Sequence, residues 1–452
     1  MSLNLVKSEE SMVPFRVGAT ESHSPWPSRH AKRSVATILS PIFGSLFREG
    51  VPIRFVFWDH STLGPDDGPG TVEVRSSDAI RRLLWAPGEL GIARAYVTGE
   101  LEMSGDLFAL LRTLHNAAPT DLRVGGRLFV NVLRSARELH LVGLPPSPPS
   151  EEASPHGKRH SKSRDARAIS HHYDISNAFY RLVLGPSMTY SCARFVEGTM
   201  SLDDAQSAKH DLVCRKLGLH ERPGARLLDV GCGWGSLAMH AAKHYEAQVV
   251  GITLSSEQAA LASQRIEDAG LSRSVDIRLQ DYRDLREERF DVISSIGMFE
   301  HVGAERVAQY FELLCGLLND TGRLLNHAIS SVGGSRIERN SFIGRYVFPD
   351  GELIDVGQVA LAMENAGFEI RDVESLREHY SRTLHAWVDN LEANWDQAVA
   401  EVGVQRARIW LLYMAASANG FDDGGVSIHQ VLGIKPGPSG ESKMPRTRIG
   451  WE

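Results

Sequence analysis

The sequence predicts an α/β protein, in which a sheet of parallel strands is covered by helices on both faces, with a helical lid and a small mixed domain before it. In the C-terminal half, apolar runs of strand length alternate with stretches of helical periodicity, a pattern typical of a doubly covered parallel sheet. A glycine-rich turn follows the first of these runs. The length of 452 residues exceeds one ordinary domain and predicts two or three.

The first part of the chain predicts an arm and a small mixed domain. Residues 1–30 are polar, with scattered Ser and Pro, and should form a disordered arm. Residues 35–47 carry an apolar stripe at helical spacing, which either packs on its own domain or lies on a membrane surface, and Pro41 argues against one straight helix. Strand-like and helical stretches extend the domain over 31–140: "IRFVFW", "TVEVR", "SDAIRRLLW" and "LFALLRTLHNA".

A linker, the main domain and a tail follow. Residues 141–165 are rich in Pro, Ser and charge, as linkers are. Their basic residues are either simply solvated or form a patch for anionic lipid head groups: Lys158, Arg159, Lys162 and Arg164. The α/β pattern occupies the main domain, residues 166–435, and residues 436–452 are expected to be a flexible tail.

Composition excludes several classes of protein. A net charge of -7 argues against a nucleic-acid binder, which needs an excess of Lys and Arg. The four cysteines have no CxxC spacing, so we expect neither a disulfide scaffold nor a metal site. We expect the protein to be in a reducing compartment. Neither a signal peptide nor a run of eighteen apolar residues occurs in the sequence. The expected location is the cytoplasm, with contact to a membrane surface left open.

Polar residues stand where the apolar runs of the main domain end. The runs are "ARLLDVG", "AQVVGITL", "VDIRLQD", "FDVISSIG" and "GRLLNHAI". Because ligands of open α/β sheets bind at the carboxyl ends of the strands, we expect one crevice to be surrounded by residues 229–235, Thr253, Asp281, Glu300 and His327. Glu300 and His301 follow the fourth run. Such a pair alone commonly marks where a strand reaches the surface, but these are also the side chains used for proton transfer.

The glycine-rich turn is the first motif that indicates a ligand. In "LLDVGCGWGSLA", the glycines at 231, 233 and 235 allow a tight turn and a close approach of the backbone to a ligand. The spacing differs from the dinucleotide pattern GxGxxG, and no phosphate-binding Lys follows. An Asp-x-Gly-x-Gly-x-Gly turn that opens a series of strands and helices resembles the S-adenosylmethionine loop of class I methyltransferases, which implies their Rossmann-like sheet.

Further motifs narrow the resemblance to one family. Many class I methyltransferases end the second strand on an acidic residue, whereas this sequence reads "GITLSSEQ" there. With "QDYRDL", "GMFEHVG", "RYVFPDGEL" and "HYSRTLHAW", it is similar over about residues 165–432 to the cyclopropane-fatty-acyl-phospholipid synthase family. The segment "APGELGIARAYVTGELE" resembles the small lipid-associated domain of the phospholipid-acting members. The spelling "LLNHAI" is similar to the actinobacterial branch that makes 10-methylene and 10-methyl (tuberculostearic-type) fatty acids.

The resemblance implies two bound small molecules and the residues that hold them. S-adenosylmethionine would donate a methyl group, and a bound bicarbonate ion would act as base. The residues implied for catalysis are Cys192, Glu300, His327, Ile329 and Tyr380. Those implied for binding S-adenosylmethionine are Tyr190, Ser191, Asp229, Gly231, Gly233, Thr253, Leu254, Gln258, Gln280, Tyr282, Ile296 and His301.

Two segments after the later strands, 335–345 and the helical region from about 352 to 432, are expected to wall an apolar tunnel for an acyl chain, although the same residues could equally form core. The implied reaction methylates the double bond of an oleoyl-type chain in phospholipid at the inner face of the membrane and leaves a methylene branch. Ring closure to a cyclopropane, a soluble acceptor and a non-catalytic lipid binder remain as alternatives. A separate reductase and a second copy of the chain remain open as partners.

Overall fold

The computed structural model describes residues 33–47, 49–117, 126–153, 164, 176–286, 288–338 and 340–451. The predicted arm lies outside the described residues. Two sheets organise the chain, a small one formed by the N-terminal part and a large one formed by the main domain. The α/β fold class is therefore confirmed, and both strands and helices precede the main domain, as expected for a small mixed domain.

The small sheet has the strand order β2-β1-β3-β4, with β1 and β3 parallel and the outer pairs antiparallel. Its strands are β1 Arg54–Phe57, β2 Thr62–Leu63, β3 Gly70–Val74 and β4 Leu101–Gly105. The helices described in this part are α1 Val35–Leu46, α2 Ser77–Trp85, α3 Glu89–Val97, α4 Leu107–Ala117 and α5 Gly126–Glu138.

Helix α1 decides one of the open alternatives. Val35, Ile38 and Leu39 of its apolar stripe are buried, and the stripe residues 42, 43, 46 and 47 are half-buried. Ser135 of α5 donates a hydrogen bond to the carbonyl of Ile38 at 3.0 Å, so the stripe packs on its own domain instead of lying on a membrane. The helix also continues through Pro41, contrary to expectation. Pro41 has no N–H for the carbonyl of Thr37, and the Arg33 guanidinium donates to that carbonyl instead, at 3.2 Å.

The large sheet has the strand order β10-β11-β9-β8-β5-β6-β7. Its strands are β5 Arg226–Val230, β6 Gln248–Thr253, β7 Val275–Leu279, β8 Phe290–Ile296, β9 Leu318–Ser331, β10 Glu369–Ser375 and β11 Val426–Ile434. Strands β5 to β9 are parallel, as predicted, but β11 is antiparallel to both β9 and β10. The sheet is thus mixed, and the prediction that the region 352–432 is helical throughout is wrong where β10 and β11 form.

The helices of the main domain divide between the faces of the sheet and the lid. They are α6 Asn177–Leu184, α7 Leu202–Leu217, α8 Ser236–Tyr245, α9 Ser256–Asp268, α10 Val307–Leu317, α11 Phe342–Tyr346, α12 Val356–Asn365, α13 Arg377–Ala393, α14 Trp395–Val402 and α15 Val404–Asp422. No helix within the described ranges is both long and apolar enough to cross a bilayer.

The N-terminal part and the lid share one hydrophobic core. Buried residues of α3 and α4 belong to the same cluster as Trp387 of α13 and Trp410 of α15. The Arg408 guanidinium of α15 donates to the carbonyl of Tyr96 at 2.9 Å, and Arg112 pairs with Asp422 at 2.9 Å. The small domain thus packs on the lid through apolar contacts as well as through hydrogen bonds and ion pairs.

The linker and the tail are more ordered in their described parts than the sequence suggests. Arg164 is buried and its guanidinium pairs with Asp350 at 2.5 and 2.6 Å, so this residue is neither solvated nor available to a head group. Lys158, Arg159 and Lys162 lie outside the described residues. In the predicted flexible tail, Arg448 pairs with Asp372 at 2.5 Å, and Trp451 is only 4% exposed.

Candidate active site

The carboxyl ends of β5, β6, β7 and β8 open onto one cavity, which we call the donor cavity. It is walled by the glycine-rich turn on one side and by the segment before α7 on the other. All the residues that the resemblance implies for S-adenosylmethionine line it: Tyr190, Ser191, Asp229, Gly231, Gly233, Thr253, Leu254, Gln258, Gln280, Tyr282, Ile296 and His301.

The glycine-rich turn requires glycine at position 231 for two reasons. Gly231 has a φ of +80°, and a Cβ atom at this position would lie 2.9 Å from Cβ of Met298. The amides of Gly231 and Cys232 both donate to the carbonyl of Ile252, at 2.9 and 3.0 Å. The turn is therefore tied to the neighbouring strand β6, and its backbone faces the cavity without a side chain between.

The second strand ends in a neutral polar network instead of a carboxylate. The Thr253 hydroxyl donates to Oε1 of Gln258 at 2.8 Å, and Ser255 caps α9 by accepting from the Gln258 amide at 3.1 Å. Thr253 and Gln258 are both buried. This network fixes the orientation of the Gln258 side chain in the donor cavity, where many class I enzymes place an acid.

A second, smaller cavity joins the donor cavity, and we call it the junction cavity. The two share Tyr190, Ser191, Ile296, Gly297 and His301. All the residues implied for catalysis line the junction cavity: Cys192, Glu300, His327, Ile329 and Tyr380. Its volume of about 50 Å³ is enough for a small ion, because about 10–15 Å³ holds one water.

Glu300 reaches the junction cavity from the short turn after β8. Its Oε1 accepts a hydrogen bond from the Ile329 amide of β9 at 2.8 Å. Its Oε2 is buried and has no hydrogen-bond partner among the described residues. Burial raises the pKa of this carboxyl to about 7. A buried acceptor of this kind is costly unless a ligand completes it.

His327 faces the same cavity from β9. Gln430 donates from Nε2 to Nδ1 of His327 at 3.3 Å, an orientation that leaves the ring proton on Nε2. Nε2 is buried and has no partner within the part of the chain that the structure describes. Burial lowers the pKa of the imidazole well below its usual range, so the ring is neutral. The junction cavity therefore combines an unused acceptor on Glu300 with an unused donor on His327.

Cys192 and Tyr380 complete the wall of the junction cavity. Cys192 is fully buried, its thiol lies 3.1 Å from the carbonyl of Ala193, and burial raises its pKa. It is therefore a neutral thiol, unlike the thiolates that act as nucleophiles. The Tyr380 ring packs against the ring of Phe421 with centroids 4.7 Å apart.

A third, apolar cavity of about 480 Å³ continues from the junction cavity. The two share Ile329, Ile337, Phe348, Leu353 and Tyr380. The lid helices α11, α13 and α15, together with residues 335, 336, 338, 340 and 341 before α11, supply most of the remaining wall, as the sequence suggests for a tunnel. The N-terminal part supplies Pro87, Glu89 and Leu90, a contribution that the sequence does not reveal.

Comparison with known proteins places the chain in a family. Residues 160–431 match the family described as mycolic acid cyclopropane synthetase. A probable fatty acid methyltransferase of Mycobacterium tuberculosis is 44% identical over 412 residues, 89% of this chain and 95% of that protein. The chain belongs to this cyclopropane synthase family. It is an S-adenosylmethionine-dependent methyltransferase of the class I fold.

Two further relatives show that the length of the chain differs among the family members. The cyclopropane-fatty-acyl-phospholipid synthase of Escherichia coli K12 is 34% identical over 80% of this chain and 87% of that protein. The chain in the crystal structure of the mycolic acid cyclopropane synthase CmaA1 complexed with SAH and CTAB is 36% identical in sequence to this chain. The two structures match with a TM-score of 0.56 over 60% of this chain and 98% of the CmaA1 chain. A shorter family member is thus complete without a large part of this chain.

The donor cavity of the present chain is also lined by two residues of α7 that the sequence analysis did not predict there, Lys209 and His210. Both are buried. The position of Lys209 carries a signal in the sequence. Residues 205, 209, 212, 213 and 216 form the buried face of α7, which Ala205, Leu212 and Val213 make apolar, and a charged residue on such a face needs an explanation. The other expected residues are all brought together by the structure.

The raised pKa of Glu300 predicts how stability depends on pH. Between about pH 4.5 and 7 the unfolded chain releases the Glu300 proton while the folded protein keeps it, so this residue makes the free energy of unfolding fall as pH rises. Glu300→Gln removes the effect. We expect the stability of the variant relative to wild type to increase by about 3 kcal/mol from pH 4 to pH 8.

Urea unfolding at pH 4, 6 and 8 in buffers free of carbon dioxide measures this difference. The control is Glu305→Gln, an exposed carboxylate in the same loop, which should shift stability equally at all three values. A stability difference between wild type and Glu300→Gln that does not change with pH would contradict the assigned environment of Glu300.

Proposed function

We propose that this methyltransferase transfers a methyl group from S-adenosylmethionine to the double bond of an unsaturated, oleoyl-type acyl chain in a phospholipid, and that the product is a 10-methylene branched chain. The observation that carries the proposal is the position of two buried atoms, Oε2 of Glu300 and Nε2 of His327, for which the described part of the chain offers no hydrogen-bond partner. They line a junction between a polar cavity and an apolar one.

The donor cavity suits S-adenosylmethionine by its chemistry. Gly231 leaves backbone exposed to a ligand, while the Thr253 and Gln258 network offers neutral polar groups. Bound there, the cofactor would supply an electrophilic methyl group. Ile296 and His301, which line both the donor cavity and the junction cavity, would orient that methyl group toward the acceptor.

The junction cavity suits bicarbonate, an anion that carries its own proton. Oε2 of Glu300 would accept that proton as a hydrogen bond, and Nε2–H of His327 would donate to another oxygen. Bound bicarbonate would supply a base within reach of the methylated chain. Such a base is needed because the methylated chain is a carbocation that must lose a proton from carbon, and the position of the base decides which carbon loses it.

The apolar cavity suits the acyl chain. Its volume of about 480 Å³ lies in the usual range for ligand cavities, about 300–1,000 Å³. Methyl transfer to an alkene places a positive charge on carbon, and water would trap this cation. The aromatic rings of Phe348 and Tyr380 line both this cavity and the junction cavity, where they would exclude water and face the charge.

Two products can form from the cation. A hydride shift followed by loss of a proton from the new methyl group gives the 10-methylene chain, whereas loss of a proton with ring closure gives a cyclopropane. The Mycobacterium tuberculosis relative is described as a probable fatty acid methyltransferase, a name that fits either product, and the name of the Escherichia coli relative favours the ring. A separate reductase would convert the methylene branch to a methyl branch.

The experiment that tests the function incubates the purified protein with isotope-labelled S-adenosylmethionine and vesicles of dioleoyl phospholipid. Mass spectrometry and proton NMR of the released fatty esters should show one added carbon and vinylidene protons. Ring protons would replace the proposed product by a cyclopropane. Binding of the cofactor with no label in lipid would contradict the acyl acceptor and favour a soluble one.

Glu300→Gln should separate catalysis from cofactor binding. Calorimetry should give an affinity for S-adenosylhomocysteine within about 2-fold of wild type, because Glu300 lines the junction cavity and not the donor cavity. Turnover on oleoyl vesicles should fall by about 100-fold or more, in the range typical of losing the base function. Full turnover in this variant would remove Glu300 from the proposed chemistry.

Leu90→Trp tests the contribution of the N-terminal part to the apolar cavity. The larger side chain should fill space required by the acyl chain and lower kcat/KM on oleoyl vesicles by about 10-fold or more, with unchanged affinity for S-adenosylhomocysteine. Leu90→Met, which nearly conserves volume, is the control and should retain most of the activity. If the Trp variant turns over oleoyl chains as well as the control does, the acyl chain lies elsewhere.

A surface on α5 would bring the active site to the membrane. Phe129, Val130 and Leu133 are 54%, 51% and 49% exposed, and Arg134 and Arg137 are exposed on the same helix. Exposed apolar side chains beside cations are the features with which interfacial helices bind anionic bilayers. This surface is better placed for such a role than the buried stripe of α1 or the buried Arg164.

Replacing Phe129 and Leu133 together by Ser should weaken binding to vesicles that contain anionic phospholipid. Each large apolar side chain contributes about 1.5–3 kcal/mol when fully buried, so we expect a loss of about 10-fold or more in co-sedimentation. The control is Leu361→Ser, which removes an exposed Leu (57%) from α12. Equal vesicle binding by the double variant and the control would rule out the α5 surface.

A further inference from the structure

A buried glutamine of β11 contacts the imidazole that faces the junction cavity. Gln430 and His327 lie directly opposite each other in the antiparallel pair of β11 and β9, so their side chains project from the same face of the sheet. Gln430 is 0% exposed and His327 is 1% exposed. Nε2 of Gln430 lies 3.3 Å from Nδ1 of His327. Gln430 itself does not line the junction cavity, so its effect on a ligand there passes through His327.

The sheet holds Gln430 in this position. Strand β11 lies between β9 and β10, with Gln430 opposite His327 on one side and Glu374 on the other. A strand with neighbours on both sides cannot slip by one residue without turning every side chain to the other face. The Glu374 carboxylate is paired with Lys216. Within the part of the chain that the structure describes, the Gln430 amide therefore has one hydrogen-bond partner, the His327 ring.

The hydrogen bond at Nδ1 decides what the other ring nitrogen can do. Burial keeps the His327 imidazole neutral by lowering its pKa, and a neutral imidazole carries one proton, on either nitrogen. When the amide N–H of Gln430 donates to Nδ1, the ring proton is on Nε2, which becomes a donor to the junction cavity. If the amide were turned by 180°, its Oε1 would accept from Nδ1–H, and Nε2 would become an acceptor.

Two other potential donors in the wall of the junction cavity are already used. The Ile329 amide donates to Oε1 of Glu300 at 2.8 Å, and the Cys192 thiol lies 3.1 Å from the carbonyl of Ala193. An anion in a buried site needs donors in place of the water that it loses. A proton on Nε2 of His327 supplies one, whereas the turned amide would leave a second acceptor near Oε2 of Glu300 and disfavour an anion.

We propose that Gln430 is a positioning residue that fixes the tautomer of His327, so that Nε2–H donates into the junction cavity and the cavity binds an anion. The inference rests on the proposed function, in which that anion is bicarbonate. Gln430 lines none of the three cavities and is thus distinct from the catalytic residues. A carboxylate at this position would accept from Nδ1–H, as the Asp of a Ser-His-Asp triad does, and would give the opposite tautomer.

Nitrogen-15 NMR of protein with labelled histidine measures the tautomer directly. Correlations between the ring carbon-bound protons and the ring nitrogens distinguish a protonated nitrogen from an unprotonated one, and the His327 signals are those missing from His327→Asn. At neutral pH the wild type should carry the proton on Nε2 of His327. In Gln430→Glu, which nearly conserves shape, the proton should move to Nδ1, because a carboxylate can only accept. The control is Gln358→Glu, at an exposed glutamine of α12, which should keep the wild-type pattern.

The dependence of turnover on bicarbonate measures the consequence for the anion. In buffers freed of carbon dioxide and then supplied with bicarbonate, Gln430→Glu should raise the concentration for half-maximal turnover on oleoyl vesicles by about 10-fold or more, because Nε2 then presents a lone pair to the anion. Gln430→Met removes the amide without fixing either tautomer and should raise it by about 3- to 10-fold. Affinity for S-adenosylhomocysteine should stay within about 2-fold of wild type in both variants.

Several outcomes would overturn the inference. A proton on Nδ1 of His327 in the wild type would do so, as would a Gln430→Glu variant that keeps the proton on Nε2. An equal rise in the bicarbonate requirement of the Glu and Met variants would make Gln430 a packing residue. If Gln430→Glu does not fold, the wild-type spectrum and Gln430→Met decide, and wild-type bicarbonate dependence in the Met variant would exclude Gln430. Wild-type turnover that does not depend on bicarbonate would overturn the proposed base, a result distinct from the tautomer that NMR reports.

Discussion

The buried carboxyl of Glu300 is the constraint on which the rest of the site depends. One of its oxygens is bonded to the Ile329 amide of β9, and its backbone carbonyl accepts from the Glu352 amide at 3.1 Å. The turn after β8 is thus attached both to the adjacent strand and to the segment that precedes α12. Because these contacts fix one oxygen, the second is presented to the junction cavity, where no described side chain satisfies it.

The other two cavities are arranged around this point by different parts of the fold. The parallel half of the sheet supplies the donor cavity through the ends of β5 to β8, as the α/β pattern requires. The lid helices and the N-terminal part supply the apolar cavity, and their shared core explains why both contribute to its wall. A polar ligand and an apolar ligand can therefore enter from separate cavities and meet at the junction cavity.

The sequence predicts the parts of this arrangement that depend on local pattern. Apolar runs give the parallel strands, glycine at 231 follows from the turn, and the place of Glu300 follows from the end of a strand. Strand β10 escapes prediction because it is an edge strand, whose only buried side chain, Asp372, is held by Lys216 and Arg448 from distant segments. The same holds for Leu90 and Trp451, since only tertiary packing decides what their apolar side chains touch.

The movement of positive charge during the reaction gives a physical reason why the base lies in the junction cavity, beyond the donor cavity. In the proposed reaction positive charge leaves the sulfonium in the donor cavity and appears on carbon near the junction cavity. The buried carboxyls are distributed along the same direction: Asp229, held by the Ser294 hydroxyl at 2.8 Å, lines the donor cavity, and Glu300 lines the junction. Once ionised, above its pKa of about 7, the Glu300 carboxylate lies near the final position of the charge. There it stabilises the transition state more than the starting state and needs no reorganisation during transfer.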